Sequence, residues 1–227
     1  MKKLLCTAFW LLMGIICFAQ NYELKGNIVG LECDTILLVK VKGGVFEGAK
    51  IKVDNGIFSY KDQIGEPYFI QIFKLNNTGE TDGKLTEFLV EPGLITVNGK
   101  SDSYENVSVK GSKSDLILKT YLKEDQKMVE EWEQLKISYN QYAAQNDTIN
   151  QKTLAMQLND ILFNERIPLL KKYVKANRTN IVGALLPNFC NLKTFLKKED
   201  YVEMYNLLTN KMKTSDYAKS TLKRSEL

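Results

Sequence analysis

Histidine is absent from all 227 residues. That single absence removes Ser-His and Cys-His nucleophile pairs and histidine metal sites together. Cys-x-x-Cys is absent too, as are a glycine-rich phosphate loop and paired glycines ahead of a helix. No basic block is denser than Lys171-Lys172 or Lys197-Lys198, and Lys2 and Lys3 supply two of the net +4 charges, so nothing gives a nucleic-acid footprint. Cysteine is scarce. Beyond the first 19 residues only Cys33 and Cys190 remain, which in an exported protein either pair or stay buried thiols. Cys33 falls in a strand turn and Cys190 in a helical stretch, which favours the unpaired state.

Long apolar runs are missing except at the start. Lys2-Lys3 and the run Leu4 to Phe18 have the charged and apolar regions of a secretory signal, with Cys17 and Ala19 as small residues at −3 and −1. The expectation is a signal peptide over residues 1–19, cleaved to leave Gln20 first. An uncleaved anchor is the alternative, but the run is shorter than the ~20 residues that span a bilayer. Lipidation of Cys17 is another, weakened because Gly14-Ile15-Ile16 lacks a small residue just ahead of the cysteine. With cleavage, no transmembrane segment remains, and the address is the periplasm or outer envelope.

What is present falls into two halves. From Tyr22 to Val109 the chain reads as roughly eight short strands: 22–29, 35–41, 49–53, 57–60, 68–73, 88–90, 94–97 and 106–109. Asp54-Asn55-Gly56 predicts a hairpin between the third and fourth, and Glu91-Pro92-Gly93 another between Phe88–Val90 and Leu94–Val97. Beyond Gly111 the period becomes helical. Ser112 and Asp115 suggest a capping box. Leu118, Tyr121, Leu122, Met128, Val129, Trp132, Leu135, Tyr139 and Tyr142 then form one stripe. Asp147-Thr148 recaps a second stripe of Leu154, Leu158, Ile161, Leu162, Leu169 and Tyr173, with a kink expected at Pro168. Shorter helices follow, about 179–195, 199–212 and 216–223. The fold class is α+β: an antiparallel β-sandwich or barrel-like domain over 20–111, then a helical region over 112–227 that starts with a long αα-hairpin.

Candidate chemistry is thin. Asp34, Asp54, Asp62, Asp82 and Glu91 read as solvated turn carboxylates, and Glu130-Glu131-Glu133 as the wet face opposite Trp132. The strand Tyr68 to Phe73 either fills a small core or lines a ligand cavity, the core being favoured. Trp132, Tyr139 and Tyr142 belong to the helix seam more readily than to a partner surface. Asp34-Thr35-Ile36 and Asp147-Thr148-Ile149 match O-glycosylation triplets of some Gram-negative bacteria. No catalytic, cofactor-binding or metal residue is assigned.

Several motifs in order carry a resemblance: Phe18-Ala19-Gln20, Leu24-Lys25-Gly26, Val53 to Tyr60, Glu66-Pro67-Tyr68, Phe88 to Gly93 and Val109-Lys110-Gly111-Ser112. Together they resemble the domain of unknown function numbered 4369, the N-terminal half of many exported thioredoxin-like thiol–disulfide oxidoreductases of Gram-negative bacteria. The segments Ala176 to Asn180 and Ser215-Asp216-Tyr217 resemble the linker of those proteins. The resemblance implies a thioredoxin-like domain with Cys-x-x-Cys beginning about at Leu227. The redox activity belongs to that domain, so no catalytic residue carries over. The expectation is a non-enzymatic recognition or scaffold module, with a thioredoxin-like or other envelope protein as partner. The alternatives are an accessory role in thiol–disulfide exchange and a small-ligand binder in a β-cavity.

Overall fold

Residues 20–76 and 78–226 are described by a computed structural model. The expected signal peptide, with Cys17, lies outside the described residues. The chain divides into two compact units after Ser112.

The first unit is a sandwich of two four-stranded sheets. One has the order β4-β1-β7-β8 and the other β3-β2-β5-β6. The strands are β1 (Gln20–Val29), β2 (Thr35–Lys42), β3 (Val45–Lys52), β4 (Ile57–Ile64), β5 (Tyr68–Leu75), β6 (Thr81–Val90), β7 (Gly93–Lys100) and β8 (Val107–Lys110). Strict alternation on β1 turns Tyr22, Leu24 and Ile28 inward while Glu23, Lys25 and Asn27 face out. Ile36 and Leu38 on β2, Ile70 and Ile72 on β5 and Phe88 on β6 meet them from the opposite sheet.

Both predicted hairpins are corrected by this arrangement. The Asn55-Gly56 turn forms locally, with φ of 50° and 79° and reciprocal 2.9 Å backbone bonds between Asp54 and Ile57. After that single bridge the chains part, because β3 pairs with β2 and β4 pairs with β1. Pro92-Gly93 likewise carries the chain from one sheet to the other. β6 pairs with β5, while β7 lies between β1 and β8. Crossing over lets Val90 and Ile95 bury against one interior from opposite sides. A hairpin would have put both runs in one sheet. The expectation of a wholly antiparallel sheet also fails at one place: β1 and β7 run parallel, from Tyr22↔Gly93 to Val29↔Lys100. The hairpins that do form join β2 to β3 through Gly43-Gly44, β5 to β6, and β7 to β8.

The second unit opens with α1 (Lys113–Ala144) and α2 (Thr148–Asp160), an antiparallel helical hairpin. Asp147 caps α2 by accepting from the Asn150 amide at 3.1 Å. A π-helical turn (Ile161–Arg166) and α3 (Ile167–Ala176) continue α2, so the expected kink at Pro168 is a π segment just before it. Then come α4 (Ile181–Phe189), α5 (Lys198–Leu207), α6 (Asn210–Lys213) and α7 (Asp216–Glu226). The helix expected over 179–195 ends at Phe189, and Cys190 is its extended C-cap. The one expected over 199–212 is broken at Leu208, whose ψ of 147° is not helical. Leu118, Tyr121, Leu170, Val174, Val182 and Leu185 form the buried centre.

Gly26 is an inward-facing position of β1 whose cross-strand neighbour is Phe58. The Phe58 ring occupies the space of a side chain there: a Cβ on Gly26 would lie 2.0 Å from its Cζ. Gly26→Ala is expected to destabilise the protein by about 1–3 kcal/mol through overpacking. Adding Phe58→Leu should recover part of that loss in thermal denaturation. A neutral Gly26→Ala would mean the ring has somewhere else to go.

Candidate functional site

Two of the carboxylates read as turn residues lie inside strands, Asp62 in β4 and Asp82 in β6. Asp62 is the consequential correction. Phe58, Tyr60, Asp62 and Ile64 alternate on one face of β4, so Asp62 points toward the interior at its rim. Ile36, Leu38 and Lys40 do the same on β2 of the opposite sheet. The Lys40 ammonium donates to Asp62 Oδ2, tying the two sheets together. Tyr60 Oη donates to the same oxygen at 3.2 Å, and the Gln63 amide donates to Oδ1 at 2.8 Å. Burial acts to raise the Asp62 carboxyl, but Lys40, the Gln63 amide and Tyr60 outweigh it and hold it below the usual carboxylate range. Burial acts to lower Lys40, and Asp62 and Tyr60 reverse that, so its ammonium is held above its ordinary value.

Beside this pair the Tyr22 and Tyr68 hydroxyls are 3.1 Å apart, and the Lys42 ammonium sits 4.3 Å above the Tyr68 ring. Burial raises both phenols, so they remain protonated. Tyr22, Asp62, Glu23, Lys61, Gly93 and Leu94 border an open cleft of about 700 Å³. The acid in this cluster already accepts three hydrogen bonds, and its phenols are locked neutral. The arrangement suits holding strands and making hydrogen bonds, rather than taking a proton from a substrate. A continued period-2 reading of Ile36-Leu38-Lys40 and Phe58-Tyr60-Asp62 is the signal that could have exposed it.

The strand Tyr68 to Phe73 contributes Tyr68, Ile70 and Ile72 to the packed interior. Cys33 is half-buried against that interior, and Cys190 is buried; both are free thiols. Burial raises the Cys190 thiol, which disfavours its thiolate. Thr35 opens β2, half-buried, and Thr148 opens α2, exposed.

In the helical unit Arg166, on the π turn, grips Asp125 with both Nε and Nη2, at 2.8 and 3.0 Å, in a buried pair. Tyr121 packs edge-on against Tyr173, and its buried hydroxyl has no hydrogen-bond partner among the described residues. Tyr173 donates to Glu124 at 2.8 Å, and burial followed by that bond pushes its phenol up to about 12. Trp132, expected at the seam of the two long helices, packs edge-on against Phe195 at 6.3 Å with the Lys136 ammonium over its ring. Glu130, Glu131 and Glu133 are exposed, in keeping with a wet face.

The helical hairpin carries the other distinctive surface. Ile149, Met156 and Phe163, one heptad apart, are 79%, 66% and 45% exposed. Of these, Met156 also floors a shallow groove of about 390 Å³ with Leu135 and Ile161, rimmed by Glu131, Asp160 and Glu165. Among the described residues no ion pair engages those three carboxylates.

The model of a family described as a domain of unknown function (DUF4369) matches residues 22–116. This segment is a DUF4369 domain. The match therefore runs from the third residue of β1 through the other seven strands, with the Lys40–Asp62 clasp and the tyrosine pair, and ends within the first turn of α1. The αα-hairpin groove lies beyond the DUF4369 domain, and so do the segments compared above with a linker. No curated protein matches the chain. Among the described residues no helix is long and apolar enough to cross a membrane.

The Lys40–Asp62 clasp has a defined pH signature. The Asp62 pKa is lowered by folding, so its contribution is complete above the unfolded value of about 3.9 and is lost as pH falls through the lower folded value. Asp62→Asn should cost about 1–2 kcal/mol near pH 6, and in urea denaturation the gap to wild type should narrow progressively as pH falls below the unfolded carboxylate value of about 3.9. Parallel stability curves across that range would show that the clasp contributes nothing.

Proposed function

We propose that the chain is a non-enzymatic recognition or scaffold module of the Gram-negative cell envelope, exported by its N-terminal segment to the periplasm or outer envelope. The observation that carries the reading is the hairpin groove. A groove with an apolar floor and a rim of carboxylates outside the described ion pairs matches a partner segment that presents apolar anchors among lysines or arginines, the helix-in-groove mode of recognition. The polar clusters elsewhere support it from the other side. Asp62 and Asp125 are consumed by internal partners, so they serve the fold.

A photo-reactive residue at Met156, introduced in envelope-expressed protein, is expected to give a discrete cross-linked species. Glu131→Lys with Glu165→Lys should abolish it, and the same probe at Asn98 on β7 should not form it. A Met156 product indifferent to the charge reversals, or no product, would refute the groove as the contact.

Thiol–disulfide exchange is the competing class. It would need Cys33 or Cys190 as an accessible thiolate, and these are half-buried and buried. In an insulin-reduction assay with dithiothreitol, residues 20–227 and their Cys33→Ser variant should both match the reagent alone. Acceleration by the wild type that the variant lacks would replace the scaffold reading with a redox one.

A further inference from the structure

A second cleft in the helical unit has the opposite charge. It lies where the turn after α4 meets the start of α5 and the last turn of α7, with a volume of about 480 Å³. Lys193, Lys197, Lys198 and Arg224 line it against one carboxylate, Glu199, with Leu196 and Tyr201 as its less polar wall. The other cations around it are used differently. Lys171 is shared by Asp200 and Glu203 at 2.7 Å each, and Lys219 is paired with Asp216 at 3.0 Å. Among the described residues Lys193, Lys197 and Lys198 enter no ion pair.

Arg224 is held in place before any ligand arrives. Its Nε donates to Asn188 Oδ1 at 3.0 Å, and its charge also favours the ionised form of the neighbouring Tyr201 phenol. Asn188 is fixed in turn, because its Nδ2 donates to Tyr217 O at 2.9 Å and to Thr221 Oγ1 at 2.7 Å. One of the five guanidinium donors is thus spent on positioning, and the fork stays charged at any relevant pH. Converging cations repel each other, and an anion among them relieves that repulsion as well as binding to each.

We propose that this cleft binds a phosphate ester. Three lysine point charges and one oriented arginine fork suit a group with several anionic oxygens. The volume beyond the phosphate, beside Leu196 and Tyr201, accommodates the organic part of the ester. The site is separate from the acidic hairpin groove and takes a ligand of opposite charge, so the two readings stand or fall independently.

The test is calorimetric titration of residues 20–227 with glycerol 3-phosphate and with inorganic phosphate. Sedimentation with phosphatidylcholine vesicles, with and without phosphatidylglycerol, runs in parallel. Saturable binding of glycerol 3-phosphate, weakened at least tenfold by Lys197→Glu and by Arg224→Gln but unchanged by Lys152→Ala on α2, is the expected result for a soluble ester. Sedimentation only with phosphatidylglycerol vesicles, lost in the same two variants, would assign the same chemistry to a lipid headgroup. Unchanged urea midpoints show that the variants are folded, and Lys193→Ala serves as the milder exposed substitution if Arg224→Gln is not. No saturable binding to either probe, or equal weakening by Lys152→Ala, would overturn the proposal.

Discussion

Tyr22, Leu24 and Ile28 of β1 look into the same interior as Ile70, Ile72 and Phe88 of the facing sheet, and that shared interior dictates where the connections go. An apolar strand that reverses within its own sheet keeps its partner on the same side of the core. One that crosses over brings the next apolar run to the other side. The chain crosses after β1, β3, β4 and β6, so sequence neighbours repeatedly face each other through packed side chains rather than through backbone hydrogen bonds. The parallel pair β1–β7 follows from this routing, since β7 returns to the first sheet in the direction β1 already runs.

Local chemistry was legible in the sequence to the extent that it is local. The presence of eight strands, the reversal at Asn55-Gly56 and the cap at Asp147 follow from residue type and period, although β3 and β6 begin at Val45 and Thr81, well before the apolar runs at 49–53 and 88–90 that signal them. Pairing was not legible, because the same Asn-Gly turn closes a hairpin or merely bends the chain depending on which distant strand offers the larger apolar face. The Gly43-Gly44 pair makes the point in reverse. A glycine pair disfavours continued strand, yet its positive φ angles here close the β2–β3 hairpin. The polar clasp went unread for a related reason: Asp62 follows Lys61 in a hydrophilic stretch, and only the alternation of β4 shows that it faces inward. The helical breaks at Cys190 and Leu208 likewise answer to tertiary packing rather than to any strong breaker in the sequence.

The two internal charge pairs share a design. Lys40–Asp62 joins strands from different sheets, and Asp125–Arg166 joins α1 to the π turn. Each links segments that no backbone ladder connects, and breaking either would leave a charge in a poorly solvated place, which is costly. Such pairs select one alignment among several that apolar packing alone would tolerate. The charges left unmatched lie on surfaces instead, acid along the hairpin and base around Arg224, and the division separates what shapes the molecule from what can meet others.

The parallel ladder between β1 and β7 also has a consequence in time. Tyr22 leaves the ribosome well before Gly93, its eventual neighbour. At translation rates of about 5–20 residues per second, the interval is roughly 4–14 s. Throughout it the central strand of the first sheet has, at most, β4 along one edge, while its other edge stays open. An open edge on an apolar strand is a template for whatever extended chain comes near. The late arrival of β7 thus leaves the intended neighbour in competition with any extended segment that reaches the open edge first.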